Sequence, residues 1–436
     1  MAEKFFQQNY FSGGLSESEL SGPRGSFSKS YGIDIHTVPG VIRAAVAPAK
    51  ESGNIVVDFC KFAVDLSGGT TSTVQHSLWF GDGGNIYRRT ISGVGLVSWG
   101  SVYRHSAGGA INGAWEFNNY VYWSQGTTVN RISLLDSVRG QWGSGSVTLS
   151  WGEINSATYH PSVNMGTYLL IGSGTTISSI DDTGTITQRG IPDVTLNYLP
   201  ANYEITSLYK YDIDVLTGTK IKGGVSGAKL LRWDLASPTW TQDIDVPENV
   251  VNCFLTTASR TFLQAGNKGR IYEYNGVSVS SFKKIPIGND DAVSEEDTLI
   301  FPQSSTIQGG MGYWGVTNDT GNSLFATPGL YALGRKNDKY PVSLSHQFVP
   351  SNTGLDTSIG AIISGRHANT AIPYLVFAWK DLTIPSYGID AIHNIVDKFS
   401  GAYIETQAIG GNPQKQKTFG NYVVSYKALP ANTNIS

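Results

Sequence analysis

One phrase recurs seven times along this chain, and it limits what the chain can fold into. A short aromatic-rich strand is followed by a turn of Gly, Asn, Thr or Asp. A second strand then begins on an apolar residue. The copies occupy residues 78–90, 120–133, 168–181, 211–220 (returning at 228–235), 262–276, 313–321 (returning at 329–334) and 374–381 (returning at 387–394). The first apolar residue of each return strand is Ile86, Val129, Ile177, Leu230, Ile271, Leu330 and Ile389, at successive gaps of 43, 48, 53, 41, 59 and 59. Four-stranded propeller blades repeat about every 40–50 residues, with slack for loops. A ring of such blades buries each sheet against its neighbours and leaves only short, protected edges. The pattern therefore predicts an all-β fold, a β-propeller of about seven blades. Residues 1–40 form an N-terminal extended arm and residues 41–436 the propeller, closed by N- and C-terminal strands. Residues 41–47 (VIRAAVA) are the expected closing strand and 418–429 their partner region, since pairing the ends removes an exposed edge. The competing arrangement is two packed β-sandwiches divided at 288–297.

Composition agrees with short strands and many turns. Glycine is 51 of 436 residues, and charged residues are 15% of the chain, against about 25% in an average soluble protein. Hydrophobic residues at 40% and aromatics at 11% are enough for a core. The net charge of −3 gives no global attraction to nucleic acid or anionic membrane. Cys60 and Cys253 lie too far apart to suggest a disulfide framework or a zinc motif, and read as small buried hydrophobes suited to a reducing cytoplasm. The opening residues lack a continuous apolar run, so a secretory signal is not expected. No apolar stretch approaches 18 residues, so no membrane span is expected.

Chemistry-bearing patterns are sparse. The seven histidines, His36, His76, His105, His160, His346, His367 and His393, form no metal-ligand spacing. Neither a metal nor a cofactor is expected. No phosphate-binding loop occurs, and the Gly-Ser-Gly triplets at 143–145 and 172–174 sit in turns of a β pattern. A propeller glycosidase would need converging carboxylates, or a Tyr nucleophile with clustered arginines. Asp212, Asp214, Glu273 and Asp390 are the acids to examine. Residues 179–185 resemble a sialidase Asp-box with its spacing off by one. Arg88, Arg89, Arg131, Arg232, Arg260, Arg270, Arg335 and Arg366 are scattered along the chain. The acidic run 288–297 reads as a solvated loop, 318–323 as a hairpin turn, and 415–427 as an edge strand guarded by lysines. A non-catalytic protein is expected.

The opening segment has a different character. Phe5, Phe6, Tyr10 and Phe11 precede a Gly/Ser/Glu stretch without clean periodicity. They are the candidate assembly contacts of an arm that packs on a neighbouring subunit. The alternative is a segment lying on its own domain. Phe11, Gly13, Gly14, Leu15 and Ser16, followed by Pro39, Gly40, Val41 and Arg43, resemble the opening "F-x-G-G-L-S … P-G-V-x-R" of virion structural proteins of tailed bacteriophages. The phrase GDGGNIYRR at 81–89 is similar to a hairpin of their propellers. Tail nozzle proteins are the nearest group, although they carry a longer chain and an Arg-Arg-x-Gly phrase where this chain has Val38-Pro39-Gly40. The resemblance implies a non-catalytic, nozzle-like ring subunit of the virion tail, made in the bacterial host cytoplasm. It implies a homo-oligomer, expected as a hexamer, contacting portal, adaptor and fibre proteins, with DNA only in passage. The alternatives are a carbohydrate- or receptor-binding propeller of the tail and, behind it, a propeller glycoside hydrolase.

Overall fold

The strands that the seven phrases predict are buried on both faces, and this sets the architecture. The computed structural model describes residues 11–16, 25–38, 41–50, 56–66, 75–92, 95–96, 104–107, 109–133, 147–224, 226–267, 269–285, 300–317, 327–351, 357–366, 373–384, 386–392 and 397–406. Among these, every regular element is a strand. Blade 1 is built from Cys60–Asp65, Gln75–Gly81, Asn85–Ser92 and Arg104–Ser106, and blade 2 from Gly113–Phe117, Tyr120–Gln125, Thr128–Ser133 and Val147–Glu153. Blade 3 is Ser162–Asn164, Tyr168–Ser173, Thr176–Asp181 and Ile186–Thr187. Blade 4 is Tyr203–Tyr211, Asp214–Ile221, Ala228–Trp233 and Gln242–Val246. Blade 5 is Val251–Thr257, Arg260–Ala265, Arg270–Tyr274 and Val279–Lys284, and blade 6 is Ser305–Gln308, Met311–Val316, Gly329–Gly334 and Ser343–Phe348. Blade 7 joins Thr357–Arg366, Pro373–Asp381 and Ser386–Ile392 to a fourth strand from the other end of the chain, Ala49–Lys50.

The first strand of each blade touches the first strand of the next, and that of blade 7 touches that of blade 1. Seven inner strands thus form a closed circle, and the protein is a seven-bladed β-propeller. Each recurring phrase is the hairpin of second and third strands. The seven apolar residues at its return, from Ile86 to Ile389, lie in third strands and are at most 1% exposed.

Seven hydrophobic clusters occupy the seven blade junctions. Phe80 and Trp123 lie between blades 1 and 2. Trp115 and Ile171 lie between 2 and 3, and Leu170 and Trp233 between 3 and 4. Leu216 and Leu263 lie between 4 and 5, and Phe262 and Trp314 between 5 and 6. Phe348 and Trp379 lie between 6 and 7, and Val376 and Trp79 between 7 and 1. Successive residues of a strand point to opposite faces, so Val215 enters one junction and Leu216 the next. A sheet covered on both faces reads as an apolar run rather than an alternation. This is why the phrases LWF, YVYW and YLLI lack polar gaps.

The closing strand differs from the expected one. Within residues 41–47, Arg43–Ala44 pairs with Ile33–Asp34, and Val46 bridges Lys398. Pro48 lacks an amide proton, and Ala49–Lys50 beyond it runs along Ser386–Ile392. The expected partner region 418–429 lies outside the described residues. The seam is held by Lys50, whose ammonium sits 4.6 Å from the centre of the Trp379 ring. Trp379 Nε1 donates to the buried Asp390 carboxylate at 2.8 Å, which also accepts the Ser351 amide and hydroxyl, each at 2.6 Å. On the inner side of the seam, Gly360 lies against blade 1, and a Cβ there would meet the Cys60 carbonyl oxygen at 2.1 Å. Gly360→Ala is expected to lower unfolding free energy by about 1–3 kcal/mol, as overpacking against backbone does. Chemical denaturation checks this, and a loss under about 0.5 kcal/mol would show slack in the seam.

Candidate functional site

The N-terminal segment packs into the groove between blades 5 and 6. Gly14–Leu15 pairs with Ser26–Tyr31, which pairs with the C-terminal strand Tyr403–Thr406. This small sheet rests on the outermost strand of blade 6. Leu15, Phe27, Ile33 and Ile35 are buried in the same cluster as Trp314 and Tyr331, with Phe11 packed against it. The phrase at 11–16 is therefore a docking element. Gly14 has φ +70°, and a Cβ there would stand 2.7 Å from the Leu344 carbonyl oxygen, so only glycine fits. Lys283 Nζ of blade 5 donates to the carbonyls of Gly13 and Leu15, both at 3.1 Å. Of the four candidate assembly residues, Phe11 packs on its own chain, while Phe5, Phe6 and Tyr10 lie outside the described residues.

His346 rivets this segment to blade 6. Its Nδ1 accepts the Gly32 amide at 3.3 Å, and its Nε2 donates to the Pro328 carbonyl at 3.1 Å. The ring stacks on Tyr31 at 5.2 Å. Both nitrogens are used in the neutral form, and a proton on Nδ1 would face an amide donor. Burial holds the imidazole down at about 4. His36, buried at the same seam with Nε2 3.3 Å from Ser345 Oγ, is likewise held at about 4, mainly by burial and against the pull of Asp34.

The axis of the ring is plugged. Phe301, ahead of the inner strand of blade 6, meets Phe59 edge-on at 5.5 Å and Tyr159 at 6.3 Å. Gln303 spans the axis. Its Oε1 accepts the Ala63 amide of blade 1 at 2.8 Å, and its Nε2 donates to the Ala114 carbonyl of blade 2 at 2.9 Å. Its own carbonyl accepts the Ile362 amide of blade 7 at 3.0 Å. A cavity of about 330 Å³ remains beside the plug, lined by Phe62, Pro161, Tyr209, Phe254 and Ile307 among others. His160 borders it with both nitrogens occupied, Nδ1 by Ser124 Oγ at 2.7 Å and Nε2 by the Asn155 carbonyl at 3.0 Å. Burial pushes its pKa down.

Of the candidate acids Asp212 and Asp214 share one hairpin of blade 4, while Glu273 and Asp390 lie in blades 5 and 7. Asp212 occupies a tight turn of blade 4 with φ 58°. Asp214 pairs with Arg232, and Glu273 in blade 5 with Arg260. Asp390 is buried in the blade 7 seam, where desolvation raises its pKa against the hydrogen bonds of Ser351 and Trp379. In the Asp-box-like turn, Asp181 Oδ1 accepts the Thr183 amide and hydroxyl and the Thr185 amide. Desolvation is the largest single influence and raises its pKa, but the hydrogen bonds of Thr183, Thr185 and Gly184 together outweigh it and hold the pKa below the ordinary value. The GDGGN turn is likewise structural. Gly81 and Gly83 leave room for the buried Asp58 carboxylate, which accepts from the Gly83 amide at 2.9 Å, Asn85 Nδ2 at 3.1 Å and the Tyr87 hydroxyl at 2.5 Å. Sequence reading missed Asp58, Gln303 and His346, because none belongs to a local phrase: Asp58 acts on a hairpin of its own blade 25–29 positions away, and the other two act across the ring or the N-terminal seam. Residues 288–297, 318–323 and 415–427 lie outside the described residues. Among the described residues no group of three or more His, Cys, Asp or Glu could hold a metal ion.

No family model matches this chain, and no curated protein matches it. Solved structures resemble it in fold. The WD40 β-propeller domain of Doa1 shares 9% identity at a TM-score of 0.49, over 80% of this chain and 97% of that one. The β-propeller domain of Cps50 (Swd1) from Myceliophteria thermophila shares 12% at 0.46, over 79% and 99%. The computationally designed Ika8 protein shares 12% at 0.44, over 80% and 100%.

The histidine seam makes stability depend on pH. A folded pKa near 4 against an ordinary 6.5 means that the stabilisation is fully present above pH 6.5 and is lost as pH falls toward 4. Between pH 7 and 4.5 the parent is expected to lose about 2–3 kcal/mol more unfolding free energy than His346→Gln. Urea titrations at the two pH values read the difference. Equal losses in both proteins would remove His346 from the account.

Proposed function

We propose that this chain is a non-catalytic structural subunit of a phage virion tail, nozzle-like, which assembles into a homo-oligomeric ring. The observation that carries the reading is the phrase Phe11-x-Gly13-Gly14-Leu15-Ser16. It resembles the opening of virion propeller proteins, and here it is the element that clamps the N-terminal segment into the rim of blades 5 and 6. Two features of the propeller support a structural role. Its axis is crossed by Phe301 and Gln303 and otherwise holds a cavity of about 330 Å³, too small for a DNA duplex to pass through the centre of one propeller. The examined acids Asp214, Glu273 and Asp390 are held by partners in three different blades, rather than converging as glycoside hydrolysis requires.

The docked segment leaves Phe5, Phe6 and Tyr10 as the assembly candidates of this reading. Phe11, Leu15, Phe27, Ile33 and Ile35 contribute to the propeller's own core. In this reading Phe5, Phe6 and Tyr10 carry the assembly contacts, with adaptor and fibre proteins as the further partners. Electron microscopy of the purified full chain is expected to show closed rings, with six subunits. Removal of residues 2–10 is expected to leave the thermal midpoint unchanged and the protein monomeric. A full chain that stays monomeric at high concentration, or one that turns over a glycoside, would overturn the reading.

A further inference from the structure

A second cavity, of about 100 Å³, lies at the end of the ring where the inner strands begin, between blades 3, 4, 5 and 6. Tyr159 and Phe301 form its aromatic wall. Blade 4 contributes Glu204 and Lys220, and blade 5 contributes Asn252 together with Asn267 from its second hairpin. Part of this polar set is left without an internal partner among the described residues. Glu204 Oε1 accepts the Thr158 amide at 2.7 Å, while Oε2 has no partner among the described residues. Asn252 is buried, and its Nδ2 donates to Gln264 Oε1 and to the Gly266 carbonyl at 3.0 Å. That fixes the amide and leaves Oδ1 as a spare acceptor. The side chains of Lys220 and Asn267 make no hydrogen bond or ion pair among the described residues. Elsewhere on blades 4 and 5, Asp214, Glu273 and Glu248 are all paired with arginines.

The chemistry of this set selects its ligand. A carboxylate oxygen and two amide oxygens accept hydrogen bonds, and an ammonium and an amide nitrogen donate them. Among the described lining residues one acid and one base offset each other, so an anion would meet Glu204 and a cation would meet Lys220. Aromatic rings beside such groups suit a molecule with apolar C–H faces and many hydroxyls. The volume is that of about three waters, enough for one edge of a single ring. We propose that this cavity binds the terminal neutral sugar residue of a glycan. The site stands on its own observations and does not depend on the assembly role.

The full chain should be applied to an immobilised panel of glycans ending in neutral hexoses, N-acetylhexosamines or sialic acid, with affinities measured by calorimetry on the free sugars. Neutral-terminated glycans are expected to bind and sialylated ones are not. Asn267→Ala and Glu204→Gln are each expected to weaken binding at least tenfold without moving the thermal midpoint, the glutamine retaining the acceptor for the Thr158 amide. Ser162→Ala, in the axial cavity, is expected to leave binding unchanged. The proposal is overturned if no neutral glycan binds, if only sialylated glycans bind, or if affinity follows Ser162→Ala instead of the two pocket variants.

Discussion

Burial of both faces of every blade against its neighbours is the constraint on which the rest of the structure depends. No single four-stranded sheet here can hide its apolar surface alone. Each of the seven clusters is shared between two blades, and the junction of blades 5 and 6 also takes in the N-terminal segment. Stability in such an array is close to a sum of nearest-neighbour interfaces, so the last interface has to be made as well as the first. This makes the junction of blade 7 with blade 1 the critical one. Lys50, Trp379 and Asp390 hold the outermost strand within blade 7, and the missing side chain at Gly360 lets the inner strands of blades 7 and 1 meet.

The N-terminal segment acts as a wedge between two blades. Its hydrophobic residues join the cluster of blades 5 and 6, its backbone carbonyls receive Lys283, and its Gly32 amide is bound by a neutral histidine. The phrase Phe11-x-Gly13-Gly14-Leu15-Ser16 is thus part of the fold.

The number of blades was legible because its signal is local. Ile86, Val129, Ile177, Leu230, Ile271, Leu330 and Ile389 each follow a tight turn within a few residues of an aromatic strand, and all seven are buried at the same place in their blades. The closing strand was read too early. Residues 41–47 look like a strand by composition, but blade 7 is completed by two residues beyond Pro48, a contact set by the distant Ser386–Ile392. Gln303 and His346 could not be read at all. Gln303 bonds residues 240 and 189 positions away, and His346 bonds one 314 positions away, so nothing in their neighbourhoods marks them. The candidate sugar pocket was hidden for the same reason, since Glu204, Asn252 and Asn267 come together only when blades 4 and 5 are stacked.

Closure of the ring by Ala49–Lys50 is tested most directly by a designed cross-link. Ala49 faces Ala391 across the antiparallel pair, where the Cα separation of about 4.5–5.5 Å suits a disulfide. Cys60 and Cys253 are buried and will not compete. Oxidising the Ala49→Cys, Ala391→Cys double variant should give an intrachain link, found by peptide mass mapping, together with a higher unfolding midpoint. Free thiols after oxidation, or links only between chains, would contradict a propeller closed by its own N-terminal strand.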